Sequence, residues 1–431
     1  MHTFDLGIGE ISKIEGKASL HVVIKDDNIE KLEFSISEFK RFYTQAIRGK
    51  DVVAIPQLTA RICGTCSNAH LLCAIKAAEH ALGITPSLQT MLLRKLLNYG
   101  LIIRDHALHL YVFVLPDLLG IDSIMDLDEN DPKQHQLLDD TFIMKAAGNA
   151  LGIAIGGRSV HAPMPTIGGF IKLPQQEELP KLIQQLQNAR PSVLRAIQVF
   201  KDCSFILNRE LEFVGIVNQD FNFLEGDVRT SSGRVIKAEE YGSAMEHVVI
   251  PYSHASGYQL MSKPYMVGAL ARVNLGKDTL NPKVKEDAKD ALSIFPSKNI
   301  YHNNLAQAIE ILHAIDSSID ILQKIKIVPE KLEPIVRKAG VGYALIEAPR
   351  GMLFYKLTLD DTGKAQDVQI MVPTGQNQIG IEKSIYDFLK PNLDKKKDYL
   401  IQEIEQIVRS YDPCMSCASH FLKVKWKQHE Q

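Results

Sequence analysis

Two cysteine pairs at opposite ends of the chain constrain it more than any other feature. Cys63 and Cys66 lie in Arg61-Ile62-Cys63-Gly64-Thr65-Cys66, and Cys414 and Cys417 lie in Asp412-Pro413-Cys414-Met415-Ser416-Cys417-Ala418-Ser419-His420. Two residues between cysteines let both sulfurs of a pair reach one ion. If the pairs share a centre, 348 positions separate Cys66 from Cys414. Closing a flexible loop that long costs about 5 kcal/mol beyond a constant. A metal clip does not organise such a chain by itself, so the fold has to supply the geometry and the site belongs inside an enzyme-sized core. The first pair precedes a predicted helix, whose N-terminus favours the metal-binding thiolate, and Gly64 is read as the turn that aims both sulfurs inward. The plain alternative is a structural four-thiolate zinc site joining the chain ends, although zinc pairs usually lie closer in sequence. A redox dithiol at one pair leaves the other unexplained.

The remaining cysteines, Cys73 and Cys203, stand apart, and six in 431 residues are too few for a disulfide scaffold. The chain is 45% hydrophobic and 23% charged with a formal net charge of -2, which gives no support to a nucleic-acid or polybasic membrane partner. No basic segment followed by an apolar run opens the chain. The most apolar stretch, 108–121, is broken by His109, Pro116 and Asp117, short of the roughly 18 residues a spanning helix needs. These features predict a cytoplasmic protein with no transmembrane segment.

Alternation predicts a β-rich first sixty residues, with a hairpin of Leu20, Val22, Ile24 and Leu32, Phe34, Ile36 around Asp26-Asp27-Asn28. Three- and four-residue spacing predicts helices over 68–82 and 87–115, divided at Pro86-Ser87. Residues 151–170, rich in Gly and Pro, read as an ordered loop. Residues 176–212 read as one long helix or a pair. Further helices are expected over 280–294, 303–324, 380–390 and 397–409, and a second hairpin over 343–372 around Asp360-Asp361-Thr362-Gly363. The fold class is therefore α+β and mostly α, a large helical core with small β-sheets at the N-terminus and in the C-terminal half. No boundary divides residues 1–420, and 421–431 read as an appended tail.

The residues around the cysteines, with others in the same order, resemble the nickel–iron hydrogenase large (catalytic) subunit. The matching segments include Lys13-Ile14-Glu15-Gly16, Gly156-Gly157-Arg158 with His161, Val267-Gly268-Ala269-Leu270-Ala271-Arg272-Val273-Asn274 and Glu347-Ala348-Pro349-Arg350-Gly351. They span nearly the whole chain, and the Cys414–His420 ending is most similar to cytoplasmic, cofactor-coupled members. The resemblance implies nickel held by four thiolates and iron carrying cyanide and carbon monoxide. Cys63 and Cys414 would be terminal ligands, and Cys66 and Cys417 bridges. It implies reversible heterolytic cleavage of dihydrogen, with Glu15 as the proton relay. Asp105 and Asp412 match carboxylates near the open nickel side. Arg350 would compensate the negative cluster and donate to a cyanide. Thr374 would bond a cyanide, and His70 would support a bridging sulfur. Read alone, Glu15 is a turn or cap residue, Arg350 a buried ion pair, His70 a core histidine, and Asp105 with His109 a surface i,i+4 pair.

The chain departs from the family pattern at Lys17, where histidine is common, at 352–355, where an imidazole is common, and at Thr44. Thr44 replaces a glutamate that binds magnesium, which leaves His420 as the remaining ligand of that site and argues against the ion. With four cysteines committed, only the isolated Cys73 and Cys203 are left, which cannot hold an iron–sulfur chain. An iron–sulfur small subunit and further electron-transfer subunits are therefore implied as partners, with a nickel-insertion protein and a maturation protease that removes 421–431. Phe421 is bulkier than the residue usual at that cut. The respiratory complex I relative lacks these cysteines, whereas a hydrogen-sensing or non-catalytic member remains an alternative.

Overall fold

The computed structural model describes residues 3–40 and 42–419. An antiparallel three-stranded sheet opens the chain, Phe4–Ile8, Ala18–Lys25 and Asn28–Ile36 in that order. Asp26 and Asp27 make the hairpin turn with φ of 50° and 62°, the mirror-image geometry that matches strand twist. Leu20, Val22, Ile24, Phe34 and Ile36 face inward and are buried. The β-rich expectation ends at Ile36, because short helical turns, Tyr43–Ile47 and Ile55–Thr59, follow.

Four long helices form the centre. Leu88–Leu108 packs on Pro132–Gly156 and His302–Lys324, and Leu179–Lys201 packs on the same two. The Ser87 hydroxyl accepts from the Thr90 amide and starts the Leu88–Leu108 helix. That helix widens into a π segment, His109–Val114. Where it crosses Pro132–Gly156, a Cβ on Gly148 would lie 2.7 Å from the Arg104 amide nitrogen and 2.8 Å from the Gly100 carbonyl oxygen. Glycine is what lets these two backbones touch. The Ser67–Leu82 helix lies against a C-terminal meander of Gly340–Ala348, Gly351–Leu359 and Ala365–Met371. A four-stranded sheet joins Tyr265–Met266, Glu212–Val217, Asp227–Thr230 and Val235–Ile236. Helices make up about 48% of the chain, and its sheets are small.

Several expected boundaries move. Helix Pro132–Gly156 occupies the start of the expected 151–170 loop. The 176–212 helix is confined to Leu179–Lys201 after a short 3-10 turn, and 280–294 divides into Pro282–Asp287 and Lys289–Leu292. The 343–372 hairpin is the latter part of the three-stranded meander, which has an earlier two-residue turn at Pro349-Arg350.

Candidate metal centre

The four sulfurs of Cys63, Cys66, Cys414 and Cys417 lie within 4.8 Å of one another, and all four residues are buried. Cys63 follows the 3-10 turn Ala60–Ile62, and Cys66 caps the Ser67–Leu82 helix. Across the chain, Cys63 Sγ stands 3.3 Å from Cys414 Sγ and Cys66 Sγ 3.1 Å from Cys417 Sγ. Backbone contacts hold the distant pair in place. The Met415 amide donates to the Glu15 carbonyl at 3.0 Å, and the Cys414 amide donates to the Thr374 hydroxyl at 2.8 Å. The glycine this approach demands is Gly16, with φ of +79°, where a Cβ would fall 2.9 Å from Met415 Cβ. Gly64 does not have the assigned role: it lacks a positive φ, and a Cβ there meets nothing within 4 Å.

Cys63 is held well below the ordinary thiol range by hydrogen bonds from Cys414, Cys417 and Cys66. Its neighbours move the other way. Burial pushes Cys414 and Cys417 well up. Cys66 is pushed up to about 11: a hydrogen bond with Cys414 opposes the rise, but Cys63 and burial outweigh it. The expected helix-terminus effect is thus not what selects the thiolate. A bound cation favours the thiolate form, so metal binding releases protons.

Four charged groups, Glu15, Arg350, Asp105 and Asp412, gather around the sulfurs. The Cys414 thiol donates to Glu15 Oε2 at 3.1 Å, and the Ser416 amide donates to the same oxygen at 3.1 Å. Burial, then the nearby Cys63 charge, raises the Glu15 carboxyl. Arg350 occupies the Pro349-Arg350 turn and is 4% exposed. It donates from Nη1 to Asp105 Oδ2 at 2.6 Å, with Nη2 3.0 Å from Asp412 Oδ1. Burial opposes the charge on Arg350, but Asp105, Asp412 and then Cys414 raise its pKa well above the usual value. Arg350 and His109 hold Asp412 below the usual carboxylate range against its burial.

The surface-pair reading of Asp105 and His109 fails, since each is only 1% exposed. His109 instead meets Gln307 Oε1 at 2.7 Å and the Arg409 carbonyl at 2.9 Å. His70 Nδ1 lies 2.7 Å from the Tyr355 hydroxyl, and its Nε2 lies 3.4 Å from Cys417 Sγ. His420 lies outside the described residues, as does the 421–431 tail.

Sequence reasoning missed Gln307, whose amide donates to Asp412 Oδ2 at 2.8 Å, and Tyr355. It also missed Arg104, which bonds the carbonyls of Thr65 and Ser159 and so straps down the first cysteine loop. None of the three carries a local spacing signal; only their distant partners identify them.

The surroundings test what the sulfurs hold. Arg350 Nε and Nη2, and one oxygen each of Asp105 and Asp412, are buried without an aligned hydrogen-bond partner. Four soft donors, a proton acceptor on one sulfur and a buried guanidinium that keeps unbonded N–H groups beside its two carboxylates fit a nickel–iron group with anionic ligands. Together they define a thiolate-bound metal centre of an oxidoreductase.

The comparisons agree. The nickel-dependent hydrogenase family model matches residues 41–148 and 240–420. The alpha subunit of sulfhydrogenase 1 from Pyrococcus furiosus is 31% identical over 429 residues, 97% of this chain and 98% of that protein. One of the subunits of the F420-non-reducing hydrogenase from Methanothermobacter marburgensis is 28% identical, covering 95% and 93% respectively. A crystal structure of an NAD+-reducing [NiFe]-hydrogenase shares the fold, with TM-score 0.87 at 22% identity over 97% of this chain and all 100% of that one. This chain belongs to the nickel-dependent hydrogenase family and is the catalytic large subunit of a nickel–iron hydrogenase.

Proposed function

We propose that Cys414 and Glu15 form the proton outlet of this hydrogenase, with Asp105, Asp412 and Arg350 as the charged lid of the centre. The observation that carries this reading is the 3.1 Å contact between Cys414 Sγ and Glu15 Oε2. When bound, the nickel–iron group, with cyanide and carbon monoxide on iron, supplies the Lewis-acidic, redox-active atoms at which dihydrogen is polarised. The chain's own part is proton handling and charge. Cys63, Cys66, Cys414 and Cys417 hold the metals. The Cys414 sulfur takes the released proton, and Glu15, whose raised carboxyl binds a proton more readily than a free one, receives it. Arg350 offers its unspent N–H groups to an anionic ligand, while Asp105 and Asp412 hold the guanidinium over the sulfurs. Thr374 fixes the Cys414 backbone, and His70 steadies the Cys417 sulfur. Magnesium has no part in this reading.

Electrons leave to an iron–sulfur small subunit and further electron-transfer subunits. The first cysteine loop surfaces at Gly64; Arg61 is exposed in the same loop, and Arg158 is exposed next to Ser159, which Arg104 ties to Thr65. Phe142 and Ile153, 63% and 53% exposed, lie on the neighbouring Pro132–Gly156 helix. This basic and apolar face is the one that partner covers. The proposed location is cytoplasmic; among the described residues no helix is long and apolar enough to cross a membrane. Residues 1–420 work as one domain, and 421–431 are removed on maturation; an intact mass that includes those residues in active enzyme refutes the cleavage. Purified complex should carry nickel and iron near one each, with infrared bands of cyanide and carbon monoxide. Stoichiometric zinc without iron refutes the reading.

A further inference from the structure

We infer that Arg272 is a positioning residue that sets the place of Arg350 over the metal centre, an inference that rests on the reading of Arg350 above. Arg272 lies on the Ala269–Gly276 helix and is 2% exposed. It spends every N–H it has. Nε and Nη2 donate to the two oxygens of Glu310 at 2.6 and 2.7 Å, and Nη1 donates to Glu347 Oε2 at 2.8 Å. The remaining two N–H groups reach the carbonyls of Ala348, at 3.1 Å, and Pro349, at 2.9 Å. An arginine with no donor left has nothing to offer a ligand, whereas Arg350 keeps a buried Nε without a partner. The two arginines therefore divide the labour.

Both sides of the Arg350–Asp105 contact are tied to this one guanidinium. On the turn side, Arg272 fixes the two peptide groups that immediately precede Arg350. On the helix side, Glu310 also accepts from His106 Nε2 at 2.9 Å, and His106 follows Asp105 directly. The turn has no slack to compensate. A Cβ on Gly351, where φ is +127°, would stand 2.6 Å from Val267 Cγ2 and 2.8 Å from the Gly268 nitrogen. The segment that begins the Arg272 helix is thus pressed against the turn it orients. Displacing a catalytic group by about 1 Å costs on the order of 100-fold in rate.

Arg272→Lys tests this in the holoenzyme, since lysine keeps the charge but lacks the planar fork. The expected result is unchanged nickel and iron content, kcat for hydrogen oxidation lowered about 100-fold, and shifted infrared bands of the iron ligands. In its crystal structure the 2.6 Å Arg350–Asp105 contact should be lost. In an Arg350→Lys background, adding Arg272→Lys should lower kcat little further. The inference is overturned if activity falls only in proportion to lost metal, if the Arg350–Asp105 contact survives, or if the two substitutions multiply. An Arg350→Lys enzyme with unchanged kcat overturns the reading of Arg350 itself. Should Arg272→Lys not fold, Glu310→Gln decides, because it opens the fork while keeping one acceptor. It should lower kcat about 10-fold with metals retained, and unchanged kcat in that variant counts against the inference.

Discussion

Glu347 should be a buried acid that keeps its proton up to neutral pH, and replacing it with glutamine should show this as a pH-dependent change in stability. One arginine serves two glutamates here. Glu310 takes the two-pronged contact, and Arg272 holds it below the usual range against its burial. Glu347 receives a single N–H from Arg272, and burial pushes its carboxyl from 4.5 up to about 7. The folded state therefore binds more protons than the unfolded chain between pH 4.5 and 7. Stability falls as pH rises through that window, by about 1.4 kcal/mol per unit and about 3 kcal/mol in all. Glutamine mimics the protonated acid and does not titrate, so Glu347→Gln lacks this loss. Unfolding entropy scales with length, so 1 kcal/mol moves the midpoint of a chain this long by about 1 °C. Paired thermal scans of holoenzyme and variant at one scan rate, from pH 5 to 8, should show the Tm difference, variant minus wild type, rising by roughly 3 °C and then levelling above pH 7. A flat difference means the Glu347 pKa is not shifted by folding. A Glu347 kept ionised by Arg272 gives the same flat line over pH 5 to 8, so a flat result refutes the account of one arginine shared unequally.

The remaining predictions are local. Glu15→Gln should leave metal content intact and slow hydrogen–deuterium exchange by about 100-fold or more, the usual contribution of a positioned acid–base group; unchanged exchange removes Glu15 from the relay. Cys417→Ser should abolish the bimetallic centre, read by metal analysis, while circular dichroism stays that of the folded chain. Tyr355→Phe strips His70 Nδ1 of its 2.7 Å partner and should cost about 1–3 kcal/mol, seen as a lowered Tm. Gly148→Ala drives a methyl against the Leu88–Leu108 backbone and should destabilise by about 1–3 kcal/mol or more, in a chain otherwise able to bind metal.

The parts of this molecule legible in the sequence are those whose cause is local. Asp26-Asp27 announced its hairpin because two adjacent residues had to accept positive φ. Ser87 announced a helix start because its hydroxyl serves an amide three residues on. The helix Pro132–Gly156 went unread because its apolar residues, from Leu137 through Met144 to Ile155, circle the axis and leave no single stripe. The cysteine pairs and the ordered motifs led to the centre, but not to what orients it. Gln307 and Arg272 act on residues 105 and 75 positions away, distances at which no spacing rule operates. The glycines show the same limit. Gly64 looked functional because it lies between cysteines, yet Gly16 and Gly351 are the positions that a side chain would jam.

The long separation of the pairs raised the question of what closes the loop, and the contacts answer it. Glu15 and Cys414 pair as parallel backbone. Arg409 reaches the Ser12 carbonyl at 2.9 Å and forks onto Asp117, which also holds Lys13 at 3.0 Å. Thr374, on a separate helix, receives the Cys414 amide. Each such hydrogen bond contributes about 0.5–1.5 kcal/mol net, and together with burial they offset the closure entropy without any metal. The sulfurs are therefore brought to bonding reach by the fold, and the binding energy of the metals remains available to ionise the thiols. That division explains why Glu15 can touch a ligand sulfur and still be free to titrate: its backbone joins the ends of the chain, and its carboxylate is left for the proton.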